Sequence, residues 1–209
     1  MLKPYRTVLR PSETEFTEKK SRFIGRCFPV ASEEEAMEKL KEVRKKHFDA
    51  THNCWAYALS GGAQRFSDDG EPGGTAGMPI MDTLIRRDIK DALIVVTRYF
   101  GGILLGSGGL VRAYSRSASD ALGAAGVGLM SPCRMLEFSV DYPRYGGIEG
   151  FVKSNSVVDG IDFLERVGFR VSVPEEKAEG FIASVIELTD GRAEPVSIGE
   201  RFLAVPLDE

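Results

Sequence analysis

Residues 95–116 read VVTRYFGGILLGSGGLVRAYSR. An apolar run ends at Arg98, passes through a nine-residue turn holding five glycines (Gly101, Gly102, Gly106, Gly108 and Gly109), and enters a helical pattern. Glycine admits positive φ and lets an anion approach the backbone. A helix start adds unpaired N–H groups and a partial positive charge. Ser107 supplies a hydroxyl, and Arg112 and Arg116 share one helical face four residues apart. Such like charges repel unless an acid lies near, and Asp120 offsets only part of that. The chemistry this composition suits is anion binding, above all phosphate. The competing reading is tight strand-to-helix packing with solvated arginines. Neither G-x-x-x-x-G-K-[ST] nor G-x-G-x-x-G is present.

Two further segments carry reactive side chains. Residues 67–77, SDDGEPGGTAG, bring Asp68, Asp69 and Glu71 into one loop, where they could hold a hard cation such as Mg²⁺ or form ordinary acidic turns. In THNCW, residues 51–55, strand alternation puts His52 and Cys54 on one face and Asn53 and Trp55 on the other. A Cys/His pair invites a nucleophile reading. Zinc needs three or four ligands at workable spacing, and the chain does not supply them. A structural His52 bonded to the acidic loop and a buried Cys54 are the alternatives. No catalytic residue, metal ligand or cofactor is assigned.

These segments need a scaffold. Residues 13–19 and 22–30 alternate as strands. Ser32 and Glu35 form a capping box before Met37, Leu40 and Val43, a helix that His47 closes as a cation at the carbonyl pole. Residues 51–59 read as a strand. Residues 60–77, with six glycines, read mostly as loop, and a short helix covers about 75–85. Residues 92–99 are the clearest buried strand, and a helix runs from the glycine turn to about Ala125. Residues 126–132 (GVGLMSP) are the linker candidate, placing domains at 1–130 and 134–209. Beyond it the order is strand 134–142, helix 144–154, strands 161–165 and 169–173, helix 175–188, strand 195–205. This β-α-β-β-α-β order is ferredoxin-like. The fold class is therefore α+β.

Composition agrees with a globular protein, with 43% hydrophobic and 28% charged residues. Residues 1–132 carry 19 basic against 16 acidic side chains, while residues 133–209 carry 8 against 15. The acidic part is a poor match for nucleic acid by itself. No apolar run reaches the roughly 20 residues of a membrane span, and the N-terminus has no signal-peptide pattern. Three widely spaced cysteines fit reduced thiols in a cytoplasm.

Together, HNCWAY at 52–57, DDGEPGGTAG at 68–77 and VTRYFGG at 96–102 with LG at 105–106 and GGLVRAY at 108–114 resemble the signature of the IMPACT/YigZ family. The resemblance covers about residues 14–125, and the remainder is similar to the small acidic domain of bacterial members. It implies an N-terminal fold similar to the second domain of a small-subunit ribosomal protein, shared with GHMP-type kinases. It also implies a C-terminal fold similar to the last domain of elongation factor G. Eukaryotic relatives regulate translation under stress through an added N-terminal module that this sequence is expected to lack. Three readings stay open. The first is a translation-associated protein holding RNA or another phosphate-bearing ligand with Arg98, the glycine turn, Arg112 and Arg116, edged by His52 and the acidic loop; ribosome-associated factors are its expected partners. The second is a Mg-dependent nucleotide hydrolase or phosphotransferase, and the third a protein-interaction module.

Overall fold

Alternation near the N-terminus produces β1 (Tyr5–Val8), β2 (Ser12–Glu18) and β3 (Ser21–Pro29) in the computed structural model, which describes residues 4–206. β2 and β3 are joined by Lys19-Lys20 alone, both at positive φ, 45° and 65°. That conformation costs about 1–2 kcal/mol at a non-glycine residue. The Ser32 Oγ accepts the Glu35 N–H at 3.2 Å and starts α1 (Glu33–Lys46), while Glu35 reaches back to the Ala31 N–H at 2.7 Å. Then follow β4 (His52–Ala58), β5 (Gln64–Ser67), α2 (Gly77–Arg86), β6 (Ala92–Tyr99) and α3 (Ser107–Ala125).

The sheet order is β2-β3-β6-β4-β5, with every neighbouring pair antiparallel. Helices cover both faces. Leu40 and Val43 of α1 pack with Trp55, Tyr57, Leu93 and Val95 on one side. On the other, Ile80 and Leu84 of α2 and Tyr114 and Leu122 of α3 pack with Cys54, Ile94 and Val96. β6 lies at the centre with alternate residues buried on opposite faces, so its sequence is apolar throughout although the sheet is antiparallel. β5, inside the stretch expected to be loop, is a four-residue edge strand with little buried surface to mark it.

Gly126, at φ 71°, ends α3, and β7 (Val127–Val140) begins at once. The expected linker is therefore strand: the boundary between the two compact units, Tyr5–Leu129 and Met130–Val205, falls within β7. The second unit continues with α4 (Tyr142–Asn155), β8 (Val157–Phe163), β9 (Val167–Pro174), α5 (Glu175–Leu188) and β10 (Val196–Pro206). The order is β-α-β-β-α-β as expected, with β9 antiparallel to β7 and β8, and β10 paired to β7. β8 starts earlier than its sequence suggests because the Gly160 irregularity is absorbed as a register shift. Leu136, Phe138, Val152, Phe169, Val171 and Phe181 form this unit's core. No helix among the described residues is long and apolar enough to cross a membrane.

His47 differs from its sequence reading. It ends α1, but Arg26 Nη2 donates to its Nε2 at 2.6 Å, so the ring is a neutral acceptor rather than a cation. Its Nδ1–H then donates to the Tyr99 hydroxyl at 2.9 Å, and that hydroxyl donates to Asp49 at 3.0 Å. Burial first, and the Arg26 charge second, hold the imidazole below its usual value. The unfolded chain takes up this proton more readily than the folded one. The contribution of His47 to stability is thus complete above about pH 6.5 and is lost as pH falls through the folded-state value. Urea titrations between pH 7.5 and 5.5 should show stability dropping more steeply in the wild type than in His47→Gln. Parallel curves would contradict this.

Candidate functional site

The loop between β5 and α2 is built by its own acids. The Asp68 carboxylate accepts the N–H groups of Gly74, Ala76 and Gly77 at 2.9, 3.0 and 2.8 Å, capping α2 from a distance in sequence. Burial opposes its ionisation, but these three donors outweigh that and keep the carboxyl below its usual range. Asp69 accepts the Asn53 N–H and pairs with Arg44, both at 2.7 Å. Glu71 is 8% exposed, and its Oε1 accepts from Arg98 Nη1 at 2.6 Å and from the Tyr114 hydroxyl at 2.7 Å. Each carboxylate is thus committed to the protein. Among the described residues no group of three or more His, Cys, Asp or Glu side chains is placed to hold a metal. The magnesium reading of Asp68, Asp69 and Glu71 thus meets carboxylates that already accept two or three hydrogen bonds each.

β4 puts His52 and Cys54 on the face toward α2 and α3, as alternation requires. The Cys54 thiol donates to the Asp68 carbonyl at 2.9 Å, and burial pushes its pKa up to about 12. It is a buried thiol, not an activated nucleophile. His52 Nδ1 lies 2.8 Å from the Asp69 carbonyl oxygen, which can only accept, so Nδ1 carries a proton and donates there. Its Nε2 stands 3.9 Å from Glu71 Oε1.

Arg98, on β6, is 5% exposed. Besides Glu71, it donates from Nη2 to Ser21 Oγ at 3.3 Å, and its guanidinium lies 5.5 Å from the ring centroids of both Phe23 and Phe100. Its Nε has no hydrogen-bond partner among the described residues.

The glycines of the following turn have distinct duties. A Cβ on Gly101 would stand 2.0 Å from the Lys20 carbonyl carbon, so Gly101 is demanded by packing against the β2–β3 hairpin. Gly102 and Gly106 take positive φ, 82° and 74°, and Gly106 is the N-cap of α3. Among the described residues no side chain caps that helix, and its first turn contains no acid. Gly108 and Gly109 lie in this first turn with Ser107. A Cβ on Gly108 would come 3.5 Å from Arg112 Nη1, so the Arg112 guanidinium lies beside Gly108 in the first turn.

Two openings flank this helix start. One, of about 380 Å³, is lined by His52, Glu71, Arg98, Phe100, Gly106 and Ser107, among others. The other, of about 250 Å³, is lined by Phe16, Lys19, Leu105, Gly109, Arg112 and Arg116. The single basic face expected from sequence is therefore divided. Arg98 is neutralised in the first opening with His52 and Glu71, whereas Arg112 and Arg116 border the second. Arg116 lies 4.2 Å from the Phe16 ring centroid and 3.5 Å from Asp120. Sequence reasoning missed Phe16, Lys19 and Phe100, which only the hairpin and the turn bring to the helix start. It read Tyr114 simply as part of an apolar stripe; a tyrosine in a buried stripe, needing a partner for its hydroxyl, was the available signal.

A five-stranded antiparallel sheet with helices on both faces, joined to a β-α-β-β-α-β unit, defines a two-unit α+β protein whose cleft gathers all three sequence motifs. Residues 19–122 match the Impact N-terminal domain, and residues 138–192 match a domain of unknown function, DUF1949. The chain belongs to the IMPACT family. It is 42% identical over 197 residues to the IMPACT family member YvyE of Bacillus subtilis, covering 93% of this chain and 91% of that one. It is 34% identical over 187 residues to the IMPACT family member YigZ of Escherichia coli, covering 87% and 92%. A Dictyostelium discoideum protein named Protein IMPACT homolog is 40% identical over 129 residues, but the match spans only 36% of that protein. A crystal structure described as that of a hypothetical protein aligns with a TM-score of 0.60 at 31% identity, covering 95% of this chain and 99% of its own.

Removing one partner of a buried ion pair leaves the other charge uncompensated, at a cost of about 3–5 kcal/mol. Arg98→Met should lose stability on that scale in urea unfolding, and Arg98→Met with Glu71→Gln should recover a substantial part of the loss. Simple addition of the two single effects would show that the pair is not coupled.

Proposed function

We propose that this chain is a cytoplasmic, translation-associated binding protein that holds RNA on its N-terminal unit through phosphate contacts at the start of α3. One observation carries the reading: among the described residues the α3 start has no side-chain cap and no acid in its first turn, and the Arg112 guanidinium lies beside Gly108 in that turn. A cation there is electrostatically unfavourable, and an anion relieves both the orphan N–H groups and the misplaced charge. Arg112 has no hydrogen-bond or ion-pair partner among the described residues, and Lys19 and Arg116 border the same opening. Glycine at 108 leaves that side of the first turn without a side chain, whereas a Cβ on Gly109 would stand 3.0 Å from Leu105 Cβ. The translation-associated setting follows from the resemblance to eukaryotic regulators. The enzymatic reading lacks comparable support, because the loop acids are bonded to the protein and the Cys54 thiol is held protonated.

The test is titration of a labelled single-stranded RNA against wild type, Arg112→Ala and Arg116→Ala at several salt concentrations, with melting temperatures measured in parallel. Affinity should fall steeply with salt, and each variant should bind more weakly with a salt slope reduced by about one. Folded variants that keep wild-type affinity and slope would place RNA elsewhere or remove it from the account.

A further inference from the structure

We infer that Phe100 is a stacking platform for one base of single-stranded RNA, whose backbone continues across the neighbouring basic opening. This rests on the phosphate reading above and narrows its ligand to an unpaired strand, bound without regard to base identity.

The turn between β6 and α3 leaves three large apolar side chains in water. Phe100 is 46%, Ile103 42% and Leu104 81% exposed. A single exposed apolar residue is ordinary, but three within five positions make a patch. The backbone beneath Phe100 is held in place. The Phe100 N–H donates to Thr51 Oγ1 at 2.9 Å, and the Gly101 N–H donates to Ser21 Oγ at 3.2 Å. Gly101 is also pressed against the Lys20 backbone, where a Cβ would not fit. The Arg98 guanidinium lies over the Phe100 ring, 5.5 Å from its centroid. A buried cation thus backs the ring while nearly half of the residue stays in water.

Charge decides what covers this patch. Phe100 and Leu104 line the opening of about 380 Å³, whereas Lys19, Arg112 and Arg116, with one carboxylate from Glu18, line that of about 250 Å³. Leu105 belongs to both walls, so the two openings meet across one side chain. Their occupant must offer a flat apolar face and a negative charge a short distance apart. Single-stranded RNA does so at every nucleotide, because each base has a π face and each linkage a phosphate. In a duplex the bases are stacked on one another and cannot reach the ring. Stacking reads no base edge, so all four bases are accepted, and the buried Glu71–Arg98 pair keeps its own partners.

The experiment uses the full chain and fluorescence anisotropy at several salt concentrations. The probes are labelled U and A homopolymers of about 12 nucleotides, a fully paired RNA hairpin and anionic phosphatidylserine vesicles. Both homopolymers should bind more tightly than the hairpin and differ little from each other. Phe100→Leu keeps an apolar side chain but loses the π face. It should weaken both homopolymers about tenfold, within the range of one lost stack, and leave the salt slope unchanged because no phosphate contact is removed. Phe100→Trp should bind as wild type does, and RNA should quench the added indole emission above the wild-type baseline from Trp55. That second variant decides the matter if melting temperatures show Phe100→Leu to be unfolded. Equal binding of homopolymers and hairpin, with Phe100→Leu without effect and no quenching, overturns the platform. If Arg112→Ala still weakens binding in that case, the phosphate reading stands. Vesicle binding that depends on Phe100, without preference for single strands, assigns the patch to a lipid surface and overturns the platform. No binding of any RNA overturns both readings.

Discussion

Arg98 and Glu71 are withdrawn from water together, at 2.6 Å, in the middle of a cleft floor. Burying two charges costs several kcal/mol each, and the mutual attraction offsets this only when further hydrogen bonds satisfy the remaining atoms. Here the Tyr114 hydroxyl supplies one to Glu71 and Ser21 receives one from Arg98. The pair consequently fastens four pieces of chain: β3 through Ser21, β6 through Arg98, the β5–α2 loop through Glu71, and α3 through Tyr114. The position of the glycine turn depends on it, because Arg98 is three residues upstream of Gly101. So does the environment of His52, whose Nε2 faces the same carboxylate.

The acidic loop and the helix start beside it are satisfied in opposite ways. Asp68 places a carboxylate on the N-terminal N–H groups of α2, the arrangement that helix electrostatics favour. α3 begins with glycine and serine, and the Arg112 guanidinium lies beside its first turn. One helix start is closed by the protein, and the other is left positive. That contrast within one unit, made by neighbouring motifs, is why the α3 start reads as a place for an external anion.

Much of this was legible in the residues. Alternation at 51–55 put His52 and Cys54 on one face, and the apolar run at 92–99 marked the most buried strand. The three motifs also identified the family. What escaped the sequence depends on long-range geometry. Whether Arg98 is a solvated anion contact or half of a buried pair turns on a glutamate 27 residues away. Gly101 and Gly108 are the same residue type, yet one is required by the Lys20 backbone and the other meets only the Arg112 guanidinium, 3.5 Å from where its Cβ would stand. His47 was read as a cation at a helix end because Arg26, which makes it an acceptor, comes from a strand 21 residues earlier. The strand through residues 127–132 was taken for a linker because its glycine and proline are turn residues by composition, while pairing across the sheet is not visible in composition.

The central claim is that the first turn of α3 binds phosphate, and amide chemical shifts test it most directly. Inorganic phosphate, and then AMP, would be titrated into ¹⁵N-labelled full-length protein, following the backbone N–H signals of Ser107, Gly108, Gly109 and Leu110. The account predicts saturable downfield shifts concentrated in these amides, with Arg112 side-chain signals moving alongside them and the C-terminal unit unchanged. Shifts centred on the C-terminal unit, or an α3 start that stays unmoved while RNA binds, would contradict it.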